Sequence, residues 1–155
     1  MPTENFNEKY FPDYEILGTI GESNARVIKA RHRLTGDLVA IKHLPFNIDE
    51  GTLRRFKREA DLMTSLDHPN IVKIKDYHFD GELPYIVMEW VEGGDLRGLL
   101  KSSHGSLNVS TVVELGLQIS QIFEVIHEKE IIHRDIKPEN ILYRILGTGF
   151  IIYDI

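Results

Sequence analysis

The chain has 155 residues, of which 42% are hydrophobic and 27% charged, and its formal net charge at pH 7 is −6. This composition is typical of a globular protein, and its acidity predicts neither a nucleic-acid partner nor a membrane surface as partner. The sequence contains no cysteine, which excludes disulfide bonds and a thiolate nucleophile. The N-terminus shows no secretory signal. We expect no apolar run that approaches the length of roughly 20 residues that a membrane helix needs. We therefore expect a cytoplasmic protein.

The first part of the chain predicts a lead-in followed by strands. Residues 1–13 show no periodicity and are interpreted as the lead-in. Alternating apolar residues over 14–43, with turn residues between the runs, predict three strands. Two further strands are predicted near 72–78 and 85–89, on the same pattern.

A helix is predicted between these two groups of strands, over about 52–66. Glu59 shares its inward face, because it lies three residues after Phe56 and four before Met63. A buried carboxylate is costly without a cation, and Lys42, on a neighbouring predicted strand, is the candidate partner. The alternative is that Glu59 lies at the edge of the apolar stripe and is solvated.

The second part of the chain predicts mainly helices. The segment Glu-Gly-Gly-Asp at 92–95 is interpreted as a connector, and a short helix follows over about 95–101. A long helix is predicted over about 109–128. Short strands are predicted at 141–143 and 150–153, with a glycine-containing turn between them.

The long helix is apolar on more than one side. Its apolar residues recur at helical spacing, and they are Val112, Leu115, Ile119, Ile122 and Ile126, with Val113 and Phe123 at the borders. Such a helix needs packing partners on both sides, and few residues follow it. We therefore expect part of the stripe to form an exposed apolar patch that a partner covers. The residues of this expected patch are Ile119, Ile122, Phe123 and Ile126.

The segment 133–140, His-Arg-Asp-Ile-Lys-Pro-Glu-Asn, gathers the groups that phosphoryl transfer needs. The carboxylate of Asp135 can orient a hydroxyl and accept its proton, and Lys137 can neutralise phosphate charge. Asn140 can hold a metal ion, and Asp154, at the end of an apolar stretch, can bind a second hard cation through oxygen.

Four segments together resemble the eukaryotic-type protein kinases. They are Val-Ala-Ile-Lys at 39–42, His-Pro-Asn-Ile-Val at 68–72 with Glu59 before it, Val-Met-Glu-Trp-Val at 87–91, and the segment 133–140. Lys137 indicates the serine/threonine form of the family. The resemblance covers about 14–155.

This resemblance implies an α+β, two-lobed protein kinase-like fold. The first lobe, at 14–91, would be a five-stranded antiparallel sheet with one helix. The rest, at 92–155, would be a hinge connector and an incomplete, mainly helical second lobe. The implied cofactors are ATP and Mg²⁺, and the implied reaction is transfer of the γ-phosphoryl group to Ser or Thr of a protein substrate.

The resemblance also implies roles for individual residues. Asp135 would be the catalytic base, Lys137 would steady the γ-phosphate, and Lys42 would be held by Glu59. The metal ligands would be Asn140 and Asp154. The nucleotide-binding residues would be Ile20, Gly21, Ser23, Val27, Ala40, Lys42, Met88, Glu89, Val91, Asp95 and Leu142. Within this set, Glu89 and Val91 would offer backbone groups to adenine and Asp95 would contact the ribose.

The chain departs from the family pattern at two places. Gly21 matches the first of three glycines in the phosphate-covering loop, but Ser23 and Ala25 stand at the other two and the loop is one residue short. We therefore expect weaker or differently shaped nucleotide binding. Ile155 stands where the family has the Phe of Asp-Phe-Gly, so we expect a truncated domain that is inactive alone.

These departures keep other functions open. One alternative is a non-catalytic, pseudokinase-like module that binds a nucleotide or a partner. Another is a small-molecule phosphotransferase of kinase-like fold.

Overall fold

A computed structural model of the chain describes residues 9–22, 25–132, 136–143 and 150–152. The chain divides into two compact units. The first consists of Met1–Asp61 and Lys73–Trp90, and the second of Leu62–Val72 and Val91–Ile155. The lobe boundaries predicted from the sequence stay predictions.

The first unit contains an antiparallel sheet of five strands in the order β1-β2-β3-β5-β4. Its strands are β1 (Tyr14–Glu22), β2 (Arg26–His32), β3 (Leu38–His43), β4 (Ile74–His78) and β5 (Tyr85–Glu89). The predicted five-stranded antiparallel sheet is therefore confirmed.

Helix α1 spans Glu50–Ser65 and leads out of the first unit. The carboxylate of Asp49 accepts hydrogen bonds from the backbone N–H of Thr52 at 2.9 Å and from its hydroxyl at 2.7 Å. This side chain satisfies a helix N–H that has no partner within the helix. The helix consequently begins before the predicted start at 52.

One face of the sheet is covered by a hydrophobic core of the first unit. Alternate residues of the strands point into this core, which consists of Phe11, Tyr14, Ile28, Ala30, Val39, Ile41, Leu83 and Val87. Phe11 is 0% exposed, although it lies in the segment interpreted as a lead-in. A single aromatic residue carries no periodicity, so the sequence pattern did not assign it to the core.

Within the part of the chain that the structure describes, the second unit contains the end of α1, two further helices and a two-stranded sheet. The helices are α2 (Leu96–Ser102) and α3 (Val109–Glu128), and a 3₁₀ turn spans Pro138–Asn140. Strands β6 (Ile141–Tyr143) and β7 (Phe150–Ile152) pair antiparallel. These elements agree with the predicted ones, while the predicted turn before β7 and Tyr153 lie outside the described residues.

Helix α3 is covered in part by the segment 62–72. Leu66 and Ile71 pack against Ile122 and Ile126, both of which are 0% exposed. The expectation that these two isoleucines are exposed is therefore wrong, because the segment after α1 covers them. The exposed large apolar side chains of α3 are instead Val109, Val112, Val113 and Leu117. The partner expected on this helix stays a prediction.

Helix α3 is also long and apolar enough to cross a membrane, judged by length and composition alone. The expectation that no apolar run approaches this length is therefore wrong. Core helices of soluble proteins can meet the same criterion, so the length and composition of α3 do not assign it to a membrane.

The connector before α2 is held against β6. The backbone N–H of Tyr143 donates to the carbonyl of Gly94 at 3.1 Å. Gly93 has φ of +139°, and a Cβ at this position would collide with the backbone oxygen and the ring of Tyr143. Glycine is thus required here both by its backbone conformation and by the close approach of β6.

We predict that Phe11→Ala lowers the free energy of unfolding by about 3–5 kcal/mol, because it opens a cavity in the core. Chemical denaturation followed by circular dichroism measures this change. Leu34→Ala is the control, since Leu34 is 89% exposed, and it should change stability by less than about 0.5 kcal/mol. Equal effects of the two substitutions would contradict the packing of Phe11.

We also predict that Gly93→Ala destabilises the chain more than Gly94→Ala. Both glycines have positive φ, at +139° and +99°, but an added Cβ meets no atom within 4 Å at Gly94. Gly94→Ala should therefore lower the free energy of unfolding only through backbone strain, by about 1–3 kcal/mol. Gly93→Ala should add a steric clash to this strain and lower it further. The unfolding free energies of the two variants test the ranking, and the reverse order would contradict it.

Candidate functional site

The face of the sheet opposite the core carries many of the predicted nucleotide-binding residues. In the strand register, Gly21 is paired with Val27, and Val27 is paired with Lys42. Ala40, two residues before Lys42 on β3, is paired with Met88 on β5. Cross-strand partners lie on the same face of a sheet, and residues two apart along a strand share that face. The structure therefore brings these five residues together on one face of the first unit.

Lys42 and Glu59 form an ion pair on this face. Lys42 Nζ lies 2.7 Å from Glu59 Oε1, and the two side chains are only 12% and 20% exposed. The predicted pairing is confirmed, and the alternative of a solvated Glu59 is wrong. Removing one partner of a largely buried ion pair is destabilising, at a cost of about 3–5 kcal/mol. Glu59 thus holds the ammonium group in a fixed place.

The end of β1 leaves open space over its backbone. Gly21 lies outside the left-handed region, and a Cβ added there would meet no atom within 4 Å. Neither backbone strain nor crowding within the chain requires glycine here. Glycine in a strand often marks a bulge or a place of close approach, and β1 has a register shift at this point. Ile20 lies at a shift in register between Thr19 and Gly21 and is 56% exposed. Ser23 lies outside the described residues.

The end of β5 carries the residues predicted to contact adenine. The backbone N–H of Glu89 donates to the carbonyl of Lys73 at 2.9 Å, and the Glu89 carboxylate accepts from the Lys73 N–H at 3.1 Å. Because the N–H of Glu89 is already used, a backbone hydrogen bond from this residue to a ligand would have to involve its carbonyl oxygen. Val91 is buried in the second unit, at 4% exposed.

Trp90 is a neighbour of this site that the sequence pattern did not single out. The ammonium group of Lys29 lies 4.4 Å from the centroid of its ring. Lys29 is paired in register with Ala40, so the cation–π contact lies on the face that carries Lys42. No local sequence pattern connects residues on β2 with the end of β5.

The second unit brings together Asp95 and Leu142, two further predicted nucleotide-binding residues. Their backbones form an antiparallel bridge. The Asp95 carboxylate also accepts a hydrogen bond from the Gly98 N–H at 2.7 Å and so caps α2. The carboxylate that was predicted to contact the ribose thus also has a structural role, as the cap of α2.

Asn140 and Lys137 lie at the two ends of one short turn. The Asn140 N–H donates to the Lys137 carbonyl at 3.0 Å. Asn140 is 6% exposed, whereas Lys137 is exposed. The amide oxygen of Asn140 is a hard donor of the kind that Mg²⁺ prefers. Among the described residues, no three His, Asp or Glu side chains cluster as a metal site.

An ion pair that the sequence did not predict joins this turn to α2. Arg97 Nε lies 3.0 Å from Glu139 Oε1, and the two side chains are 48% and 45% exposed. A hydrogen bond from its own backbone N–H, and then the bond from Arg97, hold the pKa of the Glu139 carboxyl below its usual range. The two residues lie 42 positions apart, so no local pattern could have predicted their contact.

Two of the most important predicted residues, Asp135 and Asp154, lie outside the described residues, as do His133 and Arg134. Their roles as catalytic base and metal ligand stay predictions. The described candidate residues therefore fall into two separate groups, one in each unit. The first is the sheet face around Lys42, and the second is the connector and the turn that ends at Asn140.

The family model for the protein kinase domain matches residues 14–152. A probable serine/threonine-protein kinase of Clostridium perfringens is 39% identical over 132 residues, which are 83% of this chain and 19% of the relative. The serine/threonine-protein kinase PrkC of Bacillus subtilis is 41% identical over 138 residues, 87% of this chain and 21% of the relative. An Aurora kinase of Saccharomyces cerevisiae is 36% identical over 140 residues, 88% and 38% of the two chains.

The chain thus spans about a fifth of the length of the two bacterial relatives. The matched family model covers most of this chain, and the relatives are serine/threonine kinases by name. The chain therefore belongs to the protein kinase domain family.

Proposed function

We propose that this chain binds ATP together with Mg²⁺ and is the nucleotide-binding part of a domain that phosphorylates Ser or Thr in protein substrates. The observation that carries the proposal is the row Gly21, Val27 and Lys42 across three strands. One end of the row leaves open space over a glycine, and the other end carries an ammonium group fixed by Glu59. An open backbone beside a fixed cation suits a phosphate chain.

The residues of the chain contribute positioning and charge. Lys42, held by Glu59, draws the phosphate oxygens to one place on the sheet face and offsets their charge. Val27 and Ala40 present apolar surface to the base. Asp135 orients the substrate hydroxyl and accepts its proton, and Lys137 steadies the γ-phosphoryl group. Asn140 and Asp154 would hold the metal ion, which would neutralise part of the charge on the phosphates.

Two observations support a serine/threonine protein substrate. Lys137 follows Asp135 by two residues, as in the serine/threonine form of the catalytic loop, and the relatives carry this activity in their names. We further propose that these 155 residues alone transfer little or no phosphate.

A second candidate function is that of a non-catalytic, pseudokinase-like module. The feature that favours it is Ser23 and Ala25, which stand where the family has two of its three glycines. Glycine suits close approach of the backbone to a ligand, and residues with a side chain suit it less well. Such a module would bind a nucleotide weakly, or bind a partner instead, and would transfer nothing.

We predict that Mg²⁺ and ATP together raise the melting temperature of this chain. At a ligand concentration 100-fold above the dissociation constant, binding adds about 2.7 kcal/mol, or roughly 5–10 °C. Lys42→Met should abolish the shift, because it removes the cation that meets the phosphates. Differential scanning fluorimetry with ATP, with and without Mg²⁺, measures the effect.

Lys75→Met is the matched control for this experiment. Lys75 lies in the same sheet and its Nζ is 3.6 Å from Asp37 Oδ2, but its side chain is 42% exposed. The shift should survive in this variant. A cooperative melt without any shift in the unaltered chain would contradict nucleotide binding and favour the partner-binding module.

We predict that the 155-residue chain phosphorylates a generic protein substrate at a rate close to that of its Asp135→Asn variant. Radiolabelled ATP and myelin basic protein provide the assay. Robust transfer that Asp135→Asn abolishes would contradict the claim that the chain is inactive alone. The same result would exclude the non-catalytic alternative.

A further inference from the structure

Helix α2 and the segment 137–143 are joined at several points within the second unit. The backbones of Asp95 and Leu142 form a bridge, and the Tyr143 N–H donates to the Gly94 carbonyl at 3.1 Å. Leu96 packs in one cluster with Ile141. These contacts fix the strand β6 that follows the turn, but none of them acts on the turn Pro138–Asn140 itself.

The ion pair between Arg97 and Glu139 acts directly on this turn, at 3.0 Å. Arg97 is the second residue of α2, where the cap by Asp95 and the buried side chain of Leu96 fix its backbone. Glu139 is the central residue of the turn and directly precedes Asn140. Because consecutive residues share one short hydrogen-bonded turn, a restraint on Glu139 also restrains the backbone of Asn140.

We propose that Arg97 is a positioning residue, which acts through Glu139 to hold the turn so that the Asn140 amide is in place for the cation that accompanies ATP. The last step of this proposal rests on the proposed function. In this role Arg97 need not contact nucleotide or metal. Its contribution is modest, because both side chains are about half exposed and solvent screens their attraction.

Arg97→Gln removes the charge and keeps a polar side chain, and two measurements test its effect. The first is amide hydrogen exchange of residues 137–143, which needs no ligand. The second is the Mg²⁺ concentration that supports half-maximal ATP binding, determined by calorimetry at constant ATP. We expect faster exchange in this segment and a roughly two- to fivefold higher Mg²⁺ requirement. The charge swap Arg97→Glu with Glu139→Arg should restore part of both.

Arg31→Gln is the matched control. Arg31 also forms an exposed pair with a glutamate, with Nη1 3.9 Å from Glu15 Oε2, but it lies in the first unit. It should change neither the exchange of 137–143 nor the Mg²⁺ requirement.

Unchanged exchange in Arg97→Gln would overturn the proposal, whatever the ligand does. Faster exchange with an unaltered Mg²⁺ requirement would also overturn it, because the pair would then be structural only. If the unaltered chain bound no ATP at all, the proposed function would fail. Faster exchange, restored by the charge swap, would still support the restraint of Arg97 on the turn.

Discussion

Lys42 and Glu59 place two opposite charges in a largely apolar part of the first unit, and the arrangement of the sheet depends on their meeting. On β3, Val39 and Ile41 point into the core, while Ala40 and Lys42 point to the other face. A slip of one residue in register would bury the ammonium group in the core. The pair with Glu59, at 2.7 Å, favours this register and the rotation of α1 that turns Glu59 toward Lys42. One ion pair therefore links the fold to the candidate site.

The second unit places its candidate residues by different means. Backbone contacts hold the connector Gly93–Asp95 against β6, and a glycine is needed where Tyr143 approaches most closely. The apolar clusters around Ile122 and Leu115 anchor α3 to the segment 62–72 and to α2. The turn that carries Asn140 lies between these rigid parts, and a side-chain ion pair from α2 restrains it. Apolar packing thus holds the helices of this unit together, and the ion pair restrains one turn between them.

Much of this could be predicted from the sequence, because the strands and helices follow simple apolar periods and the charged residues stand at fixed intervals within them. The helical spacing of Glu59 and the alternation around Lys42 were sufficient to predict their contact. Phe11 was missed because one aromatic residue forms no period. The exposure of Ile122 was predicted wrongly, since the stripe of α3 does not reveal that Leu66 and Ile71 cover it. Arg97 and Glu139 meet only through tertiary structure.

The proposed nucleotide binding depends on Lys42, held by Glu59, as the cation that meets the phosphates of ATP. A double-mutant cycle tests it most directly, with ATP affinity in the presence of Mg²⁺ measured for the unaltered chain, Lys42→Met, Glu59→Gln and the double variant. If Glu59 acts through Lys42, each single substitution weakens binding, and Glu59→Gln causes no further loss once Lys42 is replaced. Additive losses, or an affinity that neither substitution changes, would contradict the claim.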